Sequence, residues 1–164
     1  MGDTTPSADR RRFLAGGLSA AAFAGLWQDT GRAQGSAPTA AEKANIDVVN
    51  EFCKAWNLLP ADAAREKMLS LMTADCLWQI GKSPAAVGRA AISERMTKFL
   101  ANTRFELSVF DTFARGDLVV NSRIDSNVHP DATDTPYPIV GVFYMKNGKI
   151  AEWYELLMQR RMPL

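Results

Sequence analysis

In the stretch Asn121-Ser122-Arg123-Ile124-Asp125-Ser126-Asn127, a cation and a carboxylate stand two residues apart, and a second carboxylate, Glu155, follows later between Trp153 and Leu157. Two carboxyl groups and one guanidinium suffice for general acid–base chemistry, provided that one carboxyl keeps its proton while the other has lost it. An arginine shared by two unequally desolvated acids can separate them in this way. On an extended strand, alternation puts Asn121, Arg123, Asp125 and Asn127 on one face and Ser122, Ile124, Ser126 and Val128 on the other. The second face has only Ile124 as a large apolar residue in its middle, a poor core stripe, so the Arg123/Asp125 face is expected to point inward; the alternative is a solvated charged stripe. Buried charges are costly unless paired, and such a pair beside an apolar pocket is expected of a site more than of a core. Glu155, between two large apolar neighbours on its own face, is expected to be at least half buried.

Positioning these groups falls to the elements around them. From Glu42, the residues Ile46, Val49, Phe52 or Cys53, Trp56 and Leu59 recur at helical spacing, and Pro60 is expected to stop that helix. A second helix is expected over Ala61–Met72 and a third over Gly88–Asn102, the latter with Ile92, Met96, Phe99 and Leu100 inward. Between them Asp75–Ile80 reads as a short strand. The period then changes to two, predicting strands at Arg104–Ala114, Asp117–Val128, Tyr137–Lys146 and Ile150–Met158. Arg115-Gly116 is expected to turn the first pair and Asn147-Gly148 the last. Three helices followed by an antiparallel meander make an α+β domain, expected over residues 42–164, in which a curved, mainly antiparallel sheet wraps the helices.

That order of elements resembles the nuclear transport factor 2-like superfamily, whose cone-shaped α+β barrel holds an apolar pocket open at one end. Arg-x-Asp on the strand, then Gly141-Val142-Phe143, then Gly148-Lys149-Ile150-Ala151-x-Trp153-x-acidic is similar to the limonene-1,2-epoxide hydrolase-like family, over roughly Lys43 to Leu157. The resemblance implies that Asp125 protonates an epoxide oxygen, that Glu155 deprotonates water and that Arg123 lies between them, with no cofactor and no covalent intermediate. Two features differ from the family: its base is an aspartate, one methylene shorter than Glu155, and its water is steadied by a tyrosine and an asparagine where this chain has Trp78 and Ile80. Trp78, Ile80, Tyr137, Ile139, Trp153 and Leu157 are the expected walls of a pocket for a bulky apolar or aromatic substrate. The same fold hosts cofactor-free isomerases, cyclases and lyases, including formaldehyde-releasing lyases acting on lignin-derived diaryl compounds, and a non-catalytic ligand-binding protein is a third reading.

Ahead of the domain, Asp9-Arg10-Arg11-Arg12-Phe13-Leu14-Ala15, a weakly apolar run over 16–26 and Gly31-Arg32-Ala33 have the order of a bacterial export signal, and the arginine pair resembles the twin-arginine motif. Residues 1–33 are therefore expected to be a cleaved signal, 34–41 a linker, the twin-arginine translocase a partner during export, and the periplasm the destination. Removing the signal leaves equal numbers of basic and acidic side chains. This balance argues against a nucleic-acid partner. A homodimer is the expected assembly. His129, the single histidine, is expected in a solvated loop, and no converging metal-ligand set is apparent. Cys53 and Cys76 are expected to be buried thiols; a bridge is chemically permitted in the periplasm, and spacing alone does not decide it.

Overall fold

The computed structural model describes residues 37–158 apart from 102, 130 and 131. The expected export signal and the first residues of the expected linker lie outside the described residues. The first helix, α1 (Ala40–Ala55), starts two residues ahead of the apolar pattern because Thr39 caps it: the Thr39 hydroxyl accepts from the Glu42 N–H, and the Glu42 carboxylate accepts from the Thr39 N–H at 2.8 Å. It ends at Ala55, well short of Pro60. The cause lies in Asn57, whose side chain donates to the Leu107 carbonyl (3.2 Å) and accepts from the Leu107 N–H (2.8 Å), taking the chain to the sheet instead of into another helical turn. Val49, Phe52, Cys53 and Trp56 are buried as the spacing predicts, whereas Leu59, beyond the helix, is 67% exposed.

Helix α2 (Ala61–Ser70) is followed by β1 (Met72–Ile80). Met72, expected in the helix, opens the strand instead, opposite Ile150, and the Ile150 N–H donates to the Leu71 carbonyl at 2.9 Å. A two-residue strand, β2 (Ala86–Val87), precedes α3 (Gly88–Leu100) and has no counterpart in the sequence pattern. The meander comprises β3 (Arg104–Arg115), β4 (Leu118–His129), β5 (Ala132–Lys146) and β6 (Lys149–Leu157). The six strands run in the order β2-β1-β6-β5-β4-β3, all neighbours antiparallel except β1 and β6. The sheet curls but does not close into a barrel. Helix α1 packs against β3, β4 and β6, and α3 against β1.

At the β5–β6 turn, Asn147 and Gly148 both take the left-handed conformation (φ 54° and 69°), as the hairpin signal predicts. The β3–β4 turn is Gly116-Asp117, one residue later than expected: Gly116 has φ 58° and Arg115 pairs with Leu118 across it. His129 is not in a loop; it ends β4 opposite Ala132, because β5 begins five residues before the expected Tyr137. The core is an aromatic ladder across three strands. Trp78, Trp153 and Phe143 are successive cross-strand partners. The first two rings stack at 4.6 Å and the second and third at 6.1 Å, with Phe52 edge-on to Trp153 at 4.8 Å.

Candidate functional site

The face of β4 that turns inward is the one carrying Asn121, Arg123 and Asp125, and Arg123 is 1% exposed. Register explains how Arg123 reaches Glu155, two strands away. Asn121 pairs with Gly141 on β5, and Gly141 pairs with Glu155 on β6. Gly141 has no Cβ, and a methyl there would stand under 3.0 Å from Arg123 Nη1, Asn121 Oδ1 and a Phe143 ring carbon. The glycine thus opens the passage through which the guanidinium crosses β5.

Arg123 is held on three sides. Its Nε donates to Asp125 Oδ1 at 2.7 Å and its Nη2 to Asp125 Oδ2 at 3.1 Å, while Nη2 also donates to Glu155 Oε1. On the third side, Nη1 donates to Asn121 Oδ1 at 3.1 Å, and the Asn121 amide in turn donates to Cys53 Sγ at 3.2 Å. Glu155 Oε2 accepts from the Trp78 indole Nε1 at 3.0 Å. Every charge at this site has a partner of opposite sign, which is the condition for burying them.

Burial nevertheless decides the titration. It pushes the Glu155 carboxyl up to about 7; Arg123 opposes the rise, Asp125 adds to it, and the Trp78 N–H opposes it. Asp125 is also raised by burial, with its two-pronged hold on Arg123 working the other way. Burial would lower the Arg123 guanidinium, but Glu155 and Asp125 outweigh it and raise it, so it stays charged. Cys53 is a free thiol pushed up to about 11 by burial, and Cys76 is a free thiol raised by the same cause. Neither is a thiolate nucleophile at neutral pH.

A cavity of about 50 Å³ opens onto the two carboxyl groups, lined by Trp56, Trp78, Ile80, Phe99, Phe105, Leu107, Asp125 and Glu155. Of the expected walls it brings together Trp78 and Ile80. Tyr137, Ile139, Trp153 and Leu157 do not line it. Asn127 donates to the Tyr137 hydroxyl, Ile139 is packed opposite Arg123, Trp153 belongs to the stacked core, and Leu157 is 51% exposed at the end of β6. Trp56, Phe99, Phe105 and Leu107 take their places. Of these, only Leu107 on β3 shares a register row with Asp125. Trp56, the C-cap of α1, and Phe99 on α3 carried a signal, inward spacing, that does not separate pocket wall from core. Among the described residues no group of three or more His, Cys, Asp and Glu side chains converges on a possible metal position.

The SnoaL-like domain family matches residues 49–153. No curated protein matches the chain by sequence. Among solved structures, an LEH-like epoxide hydrolase of M. tuberculosis superposes with a TM-score of 0.63 at 16% identity, covering 71% of this chain and 84% of that one. A protein of Jannaschia sp. CCS1 assigned as a SnoaL-like polyketide cyclase gives 0.65 at 20% identity, covering 75% and 91%. One of Kribbella flavida assigned as a ketosteroid isomerase gives 0.61 at 14% identity, covering 75% and 84%. At these identities the likeness is one of fold.

Proposed function

The chain belongs to the SnoaL-like domain family, and on that premise we propose that it is a cofactor-independent enzyme that opens an epoxide by concerted acid–base attack of water. One observation carries the reading: a single buried guanidinium bridges two carboxyl groups at an apolar cavity. In the step, the water oxygen bonds to a ring carbon, the ring C–O bond breaks, the departing oxygen takes a proton from one carboxyl and the water gives one to the other. The product is a diol. Glu155 is the more deeply buried of the two and takes one bond from Arg123, whereas Asp125 takes two, so Glu155 is the proton donor and Asp125 the acceptor. These roles are the reverse of those implied by the family resemblance.

The cavity is small beside the roughly 300–1,000 Å³ of pockets that enclose drug-sized ligands. It suits the reacting end of a slender apolar or aromatic epoxide, and a bulky one would require the Phe99 and Phe105 rings to move. A second reading, a cofactor-free isomerase or lyase in the same cavity, is favoured by Trp78: its N–H is committed to Glu155 and holds no water, and the neighbouring Ile80 has no polar atom. Turnover of a styrene-type epoxide in oxygen-18 water separates the two. A labelled diol is expected, and an unlabelled product overturns hydrolysis in favour of rearrangement or elimination.

A further inference from the structure

Among the described residues, two side chains hold the Glu155 carboxyl: Arg123 and the Trp78 indole, through its N–H. An indole has a single donor, and the aim of that donor is only as steady as the ring that carries it. The rings around Trp78 touch it through apolar surface: Trp153 stacked at 4.6 Å, Phe99 tilted at 5.7 Å and Trp56 edge-on at 6.1 Å. Such contacts are non-directional and leave a flat ring able to slide. Arg95, one turn before Phe99 on α3, adds what they lack. Its Nη1 donates to the Trp78 carbonyl at 3.1 Å, its Nη2 to the Pro84 carbonyl at 2.6 Å, and its Cζ stands 5.4 Å from the Trp78 ring centroid. That is inside the roughly 6 Å at which a cation is attracted to an aromatic face. One guanidinium thus engages both the backbone and the ring of Trp78. No carboxylate pairs with Arg95 among the described residues, so its charge is left to the indole.

We propose that Arg95 is a positioning residue for Glu155, acting through Trp78. Two effects run in the same direction. The bond to the Trp78 carbonyl and the charge over the ring fix where the indole points. A cation over the π-face also draws electron density from the ring, which makes the N–H a stronger donor to a carboxylate. Both favour the ionised form of Glu155. The charged and titratable groups that face Glu155 are Arg123 and Asp125 from β4 and, behind Asn121, the Cys53 thiol from α1. From α3, Arg95 stands behind the Trp78 N–H.

The test is the titration of Glu155, followed by carbon-13 NMR in protein labelled at the glutamate carboxyls, where the Glu155 signal is the one missing from Glu155→Gln. Arg95→Gln keeps a donor for a carbonyl and loses the charge; Arg95→Lys keeps the charge and loses the planar fork. The Trp78 N–H holds the titration down. Arg95→Gln is therefore expected to raise the midpoint by roughly half a pH unit, and Arg95→Lys by less. Trp78→Phe should raise it as well, and adding Arg95→Gln to that variant should move it no further. An unchanged midpoint in Arg95→Gln overturns the proposal, and so does a further shift once the indole is gone, because the charge then reaches Glu155 directly. Should Trp78→Phe not fold, the two Arg95 variants decide: a shift as large with lysine as with glutamine removes the charge from the account and overturns it. The consequence for turnover rests on the hydrolase reading: the pH midpoint of ring opening of a styrene-type epoxide should move with the titration, with KM little changed. A shifted titration in a protein that forms no labelled diol in oxygen-18 water supports the positioning and overturns hydrolysis.

Discussion

Glu155→Gln isolates the energetic consequence of burying a carboxyl beside Arg123. Glutamine keeps one oxygen, able to accept from either Arg123 or Trp78, turns an amide NH2 toward the other donor at a cost that does not vary with pH, and has no carboxyl proton to lose. In the wild-type fold Glu155 is 7% exposed, and burial raises its carboxyl from 4.5 to about 7. Each unit of difference between folded and unfolded chains corresponds to about 1.4 kcal/mol, so ionising Glu155 inside the fold costs about 3 kcal/mol more than ionising it in the unfolded chain.

The sign follows from proton counting. Between pH 4.5 and 7 the folded chain holds a proton on Glu155 that the unfolded chain has released, so stability falls as pH rises through this window. The contribution is fully present below 4.5 and lost above 7. Asp125, also raised by burial, slopes the same way in both proteins, and subtraction removes most of its contribution. Urea unfolding of both proteins from pH 4.5 to 8.5 should show the wild-type stability, measured relative to Glu155→Gln, declining by about 3 kcal/mol. A difference that stays level across that range would refute the claim that Glu155 is buried with a raised titration.

Ring opening should fall as pH rises through about 7, where Glu155 loses the proton it donates, and a rate still climbing at pH 9 would remove it as the acid. Asp125→Asn and Glu155→Gln should each abolish turnover while sparing the binding of an apolar amide or diol inhibitor, and the double variant should be about as slow as the worse single one, as measured by kcat and inhibitor Kd. Arg123→Ala should cost about 3–5 kcal/mol in urea unfolding at pH 8, because it strands two buried carboxylates; unchanged stability would contradict the pairing. Lysine at both Arg10 and Arg11 should leave the precursor in the cytoplasm, as fractionation would show, and undiminished periplasmic yield would remove the twin-arginine assignment.

Residue pattern exposes those parts of this fold whose determinants are local. Period-two alternation places Arg123 and Asp125 together on one face of β4, and Asn147-Gly148 marks the β5–β6 hairpin, because pleat and positive φ are properties of neighbouring residues. The end of α1 is set otherwise. The Asn57 side chain makes two bonds to Leu107, fifty residues away, and no spacing within 42–59 shows that an asparagine has a strand for a partner. The same holds for Met72, helical by its apolar neighbours but claimed by β6. The parallel β1–β6 pairing that brings Trp78 and Ile80 beside Trp153 and Glu155 joins segments more than seventy residues apart, and it puts three of the eight cavity-lining residues where no pattern in either strand could show them.

The departures from the epoxide-hydrolase pattern acquire a different meaning once that register is known. Trp78 and Ile80, set against a family that holds water there with hydroxyl and amide, read in sequence as the loss of a function. In the fold, Trp78 Nε1 lies 3.0 Å from Glu155 Oε2 and steadies the carboxyl itself. Gly141 has a similar history: in sequence it is a member of a short shared motif, and across the strands it is the position at which a side chain would block the path of Arg123. Glu155, one methylene longer than the family's aspartate, is met by a guanidinium that this open passage lets through. The longer acid and the indole at 78 therefore act together, in a passage that the shared Gly141 keeps open. Substituting Glu155→Asp alone should withdraw the carboxyl from both Trp78 and Arg123 and lower activity, and should not restore the family's geometry. Measured ring opening in Glu155→Asp at or above the wild-type rate would show instead that the carboxyl does not depend on its contacts with Trp78 and Arg123.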